Sequence, residues 1–265
     1  MTKVRRLLSL FGAYLAQYLK ARMAYRSDFF VQGLTDVVWQ LVNLVFILVV
    51  FDHVPTLNGW SRDEILFIYG YFLVPYGLFA CLFNLWDFQE RYILRGEIDR
   101  VLTRPIHSLA QVCLENLDPE ALFGVVTGLV IMGYAGWRLG LDLTWYDPFV
   151  FLLLVLGSVL VYAGIYVAIA AIGFFADAKT GIAPMVWNIQ NYGRYPVDIY
   201  NRLIRIVLTW ILPFAYVGLY PSSYFLGRET YYAYAAATPV VGAVAFVLGL
   251  WAWNAGVRRY RGVGS

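Results

Sequence analysis

Between positions 65 and 86 the sequence runs for 22 residues without a charge, and four more such runs follow at 121–137, 149–176, 206–227 and 230–257. A hydrocarbon layer about 30 Å thick takes about 20 helical residues to cross, so each run is long enough or nearly so. A sixth run, 29–51, is broken only by Asp36. None shows the polar–apolar alternation of a membrane barrel strand, and in lipid only helices otherwise satisfy their own backbone hydrogen bonds. The chain therefore reads as an all-α integral membrane protein, one domain over 1–265 with six transmembrane helices. Composition agrees, since only 14% of residues are charged against about 25% in soluble domains. Only three of the 20 cationic residues are lysine, which excludes a conventional nucleic-acid binder. Cys81 and Cys113 lie far apart, outside any CxxC spacing, and give neither a disulfide framework nor a zinc site.

Orientation follows from the cations, because Lys and Arg near span ends stay on the cytoplasmic side. With the N-terminus inside, 17 of the 20 fall in the N-terminal segment, the loop 87–118, the connection between the fourth and fifth runs and the C-terminus. Only Arg62, Arg138 and Arg228 fall outside, so both termini are expected in the cytoplasm. Over 1–27, Val4, Leu7, Leu8, Phe11, Leu15, Tyr18 and Leu19 recur at helical spacing with cations between them. That pattern predicts an amphipathic helix lying in the cytoplasmic interface. No A-x-A site follows it, which argues against a cleaved secretory signal.

Catalytic chemistry finds no foothold. The two histidines, His53 and His107, are isolated, and neither a metalloprotease motif, a nucleophile elbow nor a paired-carboxylate constellation is present. Gly173 to Thr180 has the spacing of a phosphate-binding loop, but Ala178 replaces its second glycine and an apolar helix, not a strand, precedes it. No catalytic or metal residues are assigned, and the chain is not expected to hydrolyse ATP.

The loop 87–118 carries the most structured polar sequence. Gly96 can end one helix, Glu97 and Asp99 suit the positive first turn of a short second one, and Pro105 suits the start of a third. Ile98, Val101 and Leu102 give the short helix an apolar face, which either docks into a groove on another protein or rests on the bilayer. The stretch Ile93-x-x-Gly96-x-Ile98-Asp99-x-x-Leu102-x-Arg104-Pro105 resembles the first cytoplasmic loop of type-2 ATP-binding-cassette exporter permeases, in the branch linked to viologen and drug efflux. Arg194-Tyr195-Pro196, followed by Arg205, Pro213, Tyr220-Pro221 and Leu226-Gly227, is similar to the second signature of that branch. The resemblance covers essentially the whole chain.

What it implies is a half-transporter of the prokaryotic inner membrane that exports an amphiphilic, lipid-like or drug-like solute. Arg95, Gly96, Glu97, Ile98, Asp99, Arg100, Leu102, Arg104 and Pro105 would form a coupling helix gripping a separate ATPase subunit, present in two copies. ATP and Mg would belong to that partner, with no cofactor in this chain. A second permease, identical or a related six-span chain, would complete the assembly.

Candidate pathway residues come from the spans. Gln32, Asp36, Gln40 and Asn43 fall at i, i+4, i+8 and i+11, on one helix face. An ionised Asp near mid-membrane costs about 2.5 to 3.5 kcal/mol on insertion scales, so this face turns to protein or water. A pathway lining and a bundle-holding hydrogen-bonded stripe both satisfy that requirement. The second span is rich in aromatics around Pro75 and Gly77, with Tyr76 in its middle, and such rings receive flat or cationic solutes or simply pack. Gly124-x-x-x-Gly128 permits close helix approach. Pro213 and Tyr220-Pro221 interrupt the run 206–227, which is either a re-entrant outer gate, as the resemblance implies, or a short span followed by a loop. Two rivals remain at this level: an ion-coupled secondary transporter, which should show repeated halves and matched helix breaks, and a membrane assembly protein that transports nothing.

Overall fold

The computed structural model describes Gly12, Ala16 and residues 26–176 and 178–260. The amphipathic helix expected over 1–27 lies almost wholly outside the described residues. Five helices are long and apolar enough to cross a membrane: α1 (Arg26–His53), α2 (Arg62–Leu82), α5 (Leu122–Leu139), α6 (Asp147–Ile172) and α10 (Tyr232–Arg259). Two short helices, α3 (Ile98–Leu102) and α4 (Ser108–Glu115), follow α2, and α7 (Ile182–Gln190), α8 (Arg202–Ile206) and α9 (Leu219–Phe225) lie between α6 and α10. Among the described residues there is no strand, only an isolated bridge between Leu57 and Trp60.

Local chemistry sets the helix ends. Ser61 caps α2 in a reciprocal capping box with Glu64, satisfying two otherwise orphaned backbone donors. Gly140, at φ +63°, takes the left-handed position that ends α5, which a side chain would strain. Close packing comes from small residues. A Cβ on Gly128 would stand 2.6 Å from the Gly70 carbonyl oxygen, so α2 and α5 touch backbone to backbone there. Gly164 and Gly249 do the same for α6 and α10. Of the glycine pair singled out in the sequence, Gly128 makes this approach, while Gly124 meets nothing nearer than Gln40 at 4.0 Å.

Following α2, α5, α6 and α10 from end to end divides the bundle into a loop-rich end, holding 83–121 and 173–181, and an opposite end, holding 54–61, 140–146 and 228–231. The run 206–227, expected as one span, is not a continuous helix. It consists of the end of α8, a π turn (Val207–Ile211), a 3-10 turn (Phe214–Val217) and α9. Pro213 removes the backbone donor that would carry the first turn into the next. The segment starts and finishes at the opposite end: the Arg205 guanidinium donates to the Asp198 carbonyl, and the Asp198 carboxylate accepts from the Trp60 indole at 3.0 Å. At its far side, Arg228 pairs with Glu64 and donates to the Gly59 carbonyl. Its middle dives into the bundle, where the Ser158 hydroxyl donates to the Tyr216 carbonyl at 2.8 Å and Gly218 lies against Phe72. Ser158 is eleven residues into α6, about 16 Å of helix, so the tip reaches mid-bundle. This is re-entrant geometry. It also corrects the placement of three cations, since Arg202 and Arg205 lie at the end opposite Lys179 and Arg194 lies within the bundle.

The stretch 182–199 makes the traverse that 206–227 was expected to make. Thr180, just before α7, is held by Gln89 at the loop-rich end, and Asp198 is held by Trp60 and Asn58 at the other.

Candidate functional site

One face of the bundle carries a lane bounded by α1, α2 and the stretch 182–199. α1 is loosely held, by Phe29 against Phe123, by the buried Ile47 and by polar bonds. The Tyr69 hydroxyl meets Gln40 at 2.9 and 3.0 Å, and Arg194 donates to Asn43 and to Asn191. The Arg194 guanidinium also lies over the rings of Tyr69 and Phe72, at 6.0 and 5.6 Å, a favourable placement for a cation withdrawn from water. Arginine here therefore ties two walls of the lane together.

Four cavities follow one another along this face, each sharing wall residues with the next. The first, 110 Å³, starts near Glu90 and Lys179. It shares Leu85, Trp86 and Tyr166 with an aromatic cavity of 370 Å³. That one shares Tyr76, Asp118 and Trp187 with a polar cavity of 240 Å³. This in turn shares Asn191 and Arg194 with an apolar cavity of 520 Å³ reaching Leu57 and Ile199 at the opposite end.

The structure brings Gln32, Asp36, Gln40 and Tyr76 into the polar cavity and places Asn43 on Arg194 beside it. Tyr195 lines the apolar cavity with Arg194, and Pro196 leads into the 3-10 turn Val197–Ile199. Pro213, Tyr220 and Pro221 belong instead to the re-entrant segment. There the Tyr220 hydroxyl bonds to Thr209 at 2.9 Å, and its ring stacks on Tyr234 at 4.6 Å. Four lining residues were missed in the sequence: Asp118, Trp187, Gln190 and Asn191. The last three, with Arg194, fall at i, i+3, i+4 and i+7, a helical stripe visible in the sequence but sited in what read as a loop.

At the loop-rich end the short helix expected between Gly96 and Pro105 is present as α3. A π turn (Gln89–Leu94) leads to Gly96 at φ +73°, a left-handed residue that lets the chain reverse into α3. Ile98 and Val101 are completely buried, in a cluster with Phe88, Tyr92, Val112, Phe174 and Trp253. Ile98 therefore packs inside its own chain, which corrects its assignment to a partner-facing surface: the apolar stripe of α3 is used to seat it. The outward residues are Arg95, Asp99, Arg100, Leu102, Arg104 and Pro105. Glu97 and Gly96 are half-buried.

Ion pairs hold this seat. Glu115 accepts from Arg100 at 2.9 Å, lies 3.7 Å from Arg104 and accepts from the Tyr92 hydroxyl. Arg91 pairs with Glu97 at 2.9 Å and donates to Asn116. Glu90 bridges Arg95 and Lys179, and Gln89 binds Thr180 and the Ala178 carbonyl, so the turn that leads into α3 is tied to the segment that follows α6. The Trp253 indole donates to Ser108 at 3.0 Å, adding α10. Hydrogen bonds from Lys179 and Arg95 hold the Glu90 carboxyl below its ordinary range, whereas burial pushes the Cys113 thiol up to about 12 and leaves it protonated and inert.

Among the described residues, an all-helical bundle with five helices long and apolar enough to cross a membrane defines an integral membrane protein. The sequence model of the ABC-2 family transporter proteins matches residues 37–264, so this chain belongs to the ABC-2 transporter family. Chains of this family are the membrane components of transporters powered by a partner ATPase. Comparison with curated proteins and with solved structures gives no match.

Proposed function

We propose that this chain forms one half of an ATP-driven exporter, in the viologen- and drug-efflux-like branch, carrying an amphiphilic solute along the lane between α1, α2 and 182–199. The observation that supports this best is the unbroken succession of wall-sharing cavities from Glu90 and Lys179 to Leu57 and Ile199. An apolar–aromatic track with a few polar groups suits amphiphiles better than ions. The second permease, identical or a related chain, closes the open side of the lane, where α1 turns Phe30, Leu34, Val38 and Val42 outward.

Counting 182–199 with the five long helices gives six crossings and puts both termini on one side. With Arg202 and Arg205 moved outward, the described Lys and Arg still divide 8 to 5 in favour of the loop-rich end, the sign of asymmetry that marks a cytoplasmic face in a prokaryotic inner membrane. α3 engages the ATPase there, through Leu102 and the charged residues around it; ATP and Mg are bound and turned over in two copies of that subunit. Closure of the ATPases moves α3, and the ties of its flanking segments to 178–180 and to α10 carry the motion to the lane. The test is to purify the complex and reconstitute it in liposomes with an amphiphilic fluorophore. Solute-stimulated ATP hydrolysis with ATP-dependent flux is expected. Flux driven by a proton or sodium gradient without ATP would overturn the proposal.

A further inference from the structure

Asp36 and Arg194 line the same 240 Å³ cavity, yet they do not pair with each other. Among the described residues Asp36 makes no hydrogen bond or ion pair, and Arg194 has only the amide oxygens of Asn43 and Asn191 as hydrogen-bond acceptors, its buried Nε having none. Arg194 is held at the level of Asn43, seven residues and about 10 Å along α1 from Asp36. Opposite charges, Asp36 with Asp118 against Arg194, thus stand at two ends of a membrane-embedded cavity, each costly to leave uncompensated. Near the acidic end lie the rings of Tyr76 and Trp187, which line the same cavity. Glu120 adds negative potential at Asp36. Beyond Arg194 opens the apolar 520 Å³ cavity.

We propose that this cavity binds the zwitterionic headgroup of a single-chain phospholipid, of the phosphocholine or phosphoethanolamine type. The inference rests on the export reading and names its substrate class. The ammonium group sits at Asp36 against the aromatic faces, a cation–π arrangement. The phosphate meets Arg194, whose planar fork matches phosphate oxygens, and the acyl chain continues into the apolar cavity. A simple cation leaves Arg194 uncompensated and a simple anion leaves Asp36 so. The charges of a free α-amino acid stand too close together to reach both.

The purified full complex, in a neutral maltoside detergent without ATP, is loaded with fluorescent lysophosphatidylcholine. It is then challenged with three competitors of equal chain length: lysophosphatidylcholine, lysophosphatidylglycerol and an alkyltrimethylammonium. The zwitterion should displace at about tenfold lower concentration than either singly charged probe, the worth of one charge-assisted contact. Asp36→Asn, which breaks no hydrogen bond or ion pair among the described residues, should erase the advantage over lysophosphatidylglycerol. Arg194→Gln should erase the advantage over the ammonium probe. Equal displacement by all three probes, or an advantage that survives Asp36→Asn, overturns the inference. Headgroup selectivity without ATP-driven flux would refute the export reading alone, and ATP-driven flux without selectivity would refute this inference alone.

Discussion

Replacing Ile98 with alanine separates seating from docking. The substitution removes three carbons from a side chain with no exposed surface. At about 0.8 kcal/mol for each buried methylene the transfer loss is about 2.4 kcal/mol, and the unfilled space raises this to roughly 3 to 4 kcal/mol, within the usual span for such changes. For a chain of this size that is a drop of about 10 °C in Tm. Leu102→Ala, at a position 37% exposed, should cost less than about 1 kcal/mol. The assay is thermal unfolding in mild detergent followed by tryptophan fluorescence, for which Trp253 reports from the same cluster, run beside recovery of the ATPase on the tagged permease. Ile98→Ala should melt early, while Leu102→Ala should melt normally and recover less ATPase. An Ile98→Ala protein with unchanged Tm that has lost the ATPase would refute the reasoning, because Ile98 would then face the partner.

Gly128→Val should abolish recovery of monodisperse protein, since its Cβ would meet the Gly70 carbonyl at 2.6 Å and the Leu73 Cβ at 2.8 Å; Gly124→Ala, in open space, should elute normally on size exclusion. Tyr220→Phe leaves Thr209 without its buried partner and should lower stability by about 1 kcal/mol, read as a small fall in Tm. The lowered Glu90 carboxyl contributes its ion pairs fully above the ordinary glutamate value and loses them as pH falls through the depressed one. The Tm difference between the wild type and Glu90→Gln should therefore be constant above about pH 5, shrink only in more acid solution and diminish with added salt. A difference that instead grew on acidification would show that Glu90 is not held by Lys179 and Arg95.

The long helices were legible in the sequence because an uncharged run of 20 residues has few other fates. The α3 punctuation was legible too, with Gly96 reversing the chain and Ile98 and Val101 on one face. Which way that face turned was not, because the aromatic cluster that receives it comes from 88–92, Phe174 and Trp253, residues far apart in the chain. The fifth traverse was hidden for a different reason. Only 14 uncharged residues, 180–193, lie between Lys179 and Arg194, too few for a spanning α-helix. Finishing in 3-10 and extended backbone gains about 2.0 to 3.3 Å per residue, so 182–199 covers the distance with fewer residues and with an arginine inside. The run 206–227 misled in the opposite sense: apolar content sufficient to span was spent on a buried tip. The polar stripe of α1 was expected to turn to protein or water, and Gln32, Asp36 and Gln40 line the polar cavity; the opposite wall, Trp187, Gln190, Asn191 and Arg194, was overlooked because that traverse read as a loop.

The buried tip of the re-entrant segment bears on how the chain is made. A stretch broken at Pro213, with the Tyr216 carbonyl needing Ser158, cannot enter lipid by itself as a helix does, because its backbone finds partners only inside an assembled bundle. It must wait at the membrane surface until α2 and α6 are in place, and it is roofed only when α10 arrives and Tyr234 stacks on Tyr220. The last of the described helices is thus the one that closes over the tip. A ribosome stalled before Tyr232 leaves a chain whose most apolar irregular segment is still exposed, so membrane quality control has a defined moment at which to intercept it.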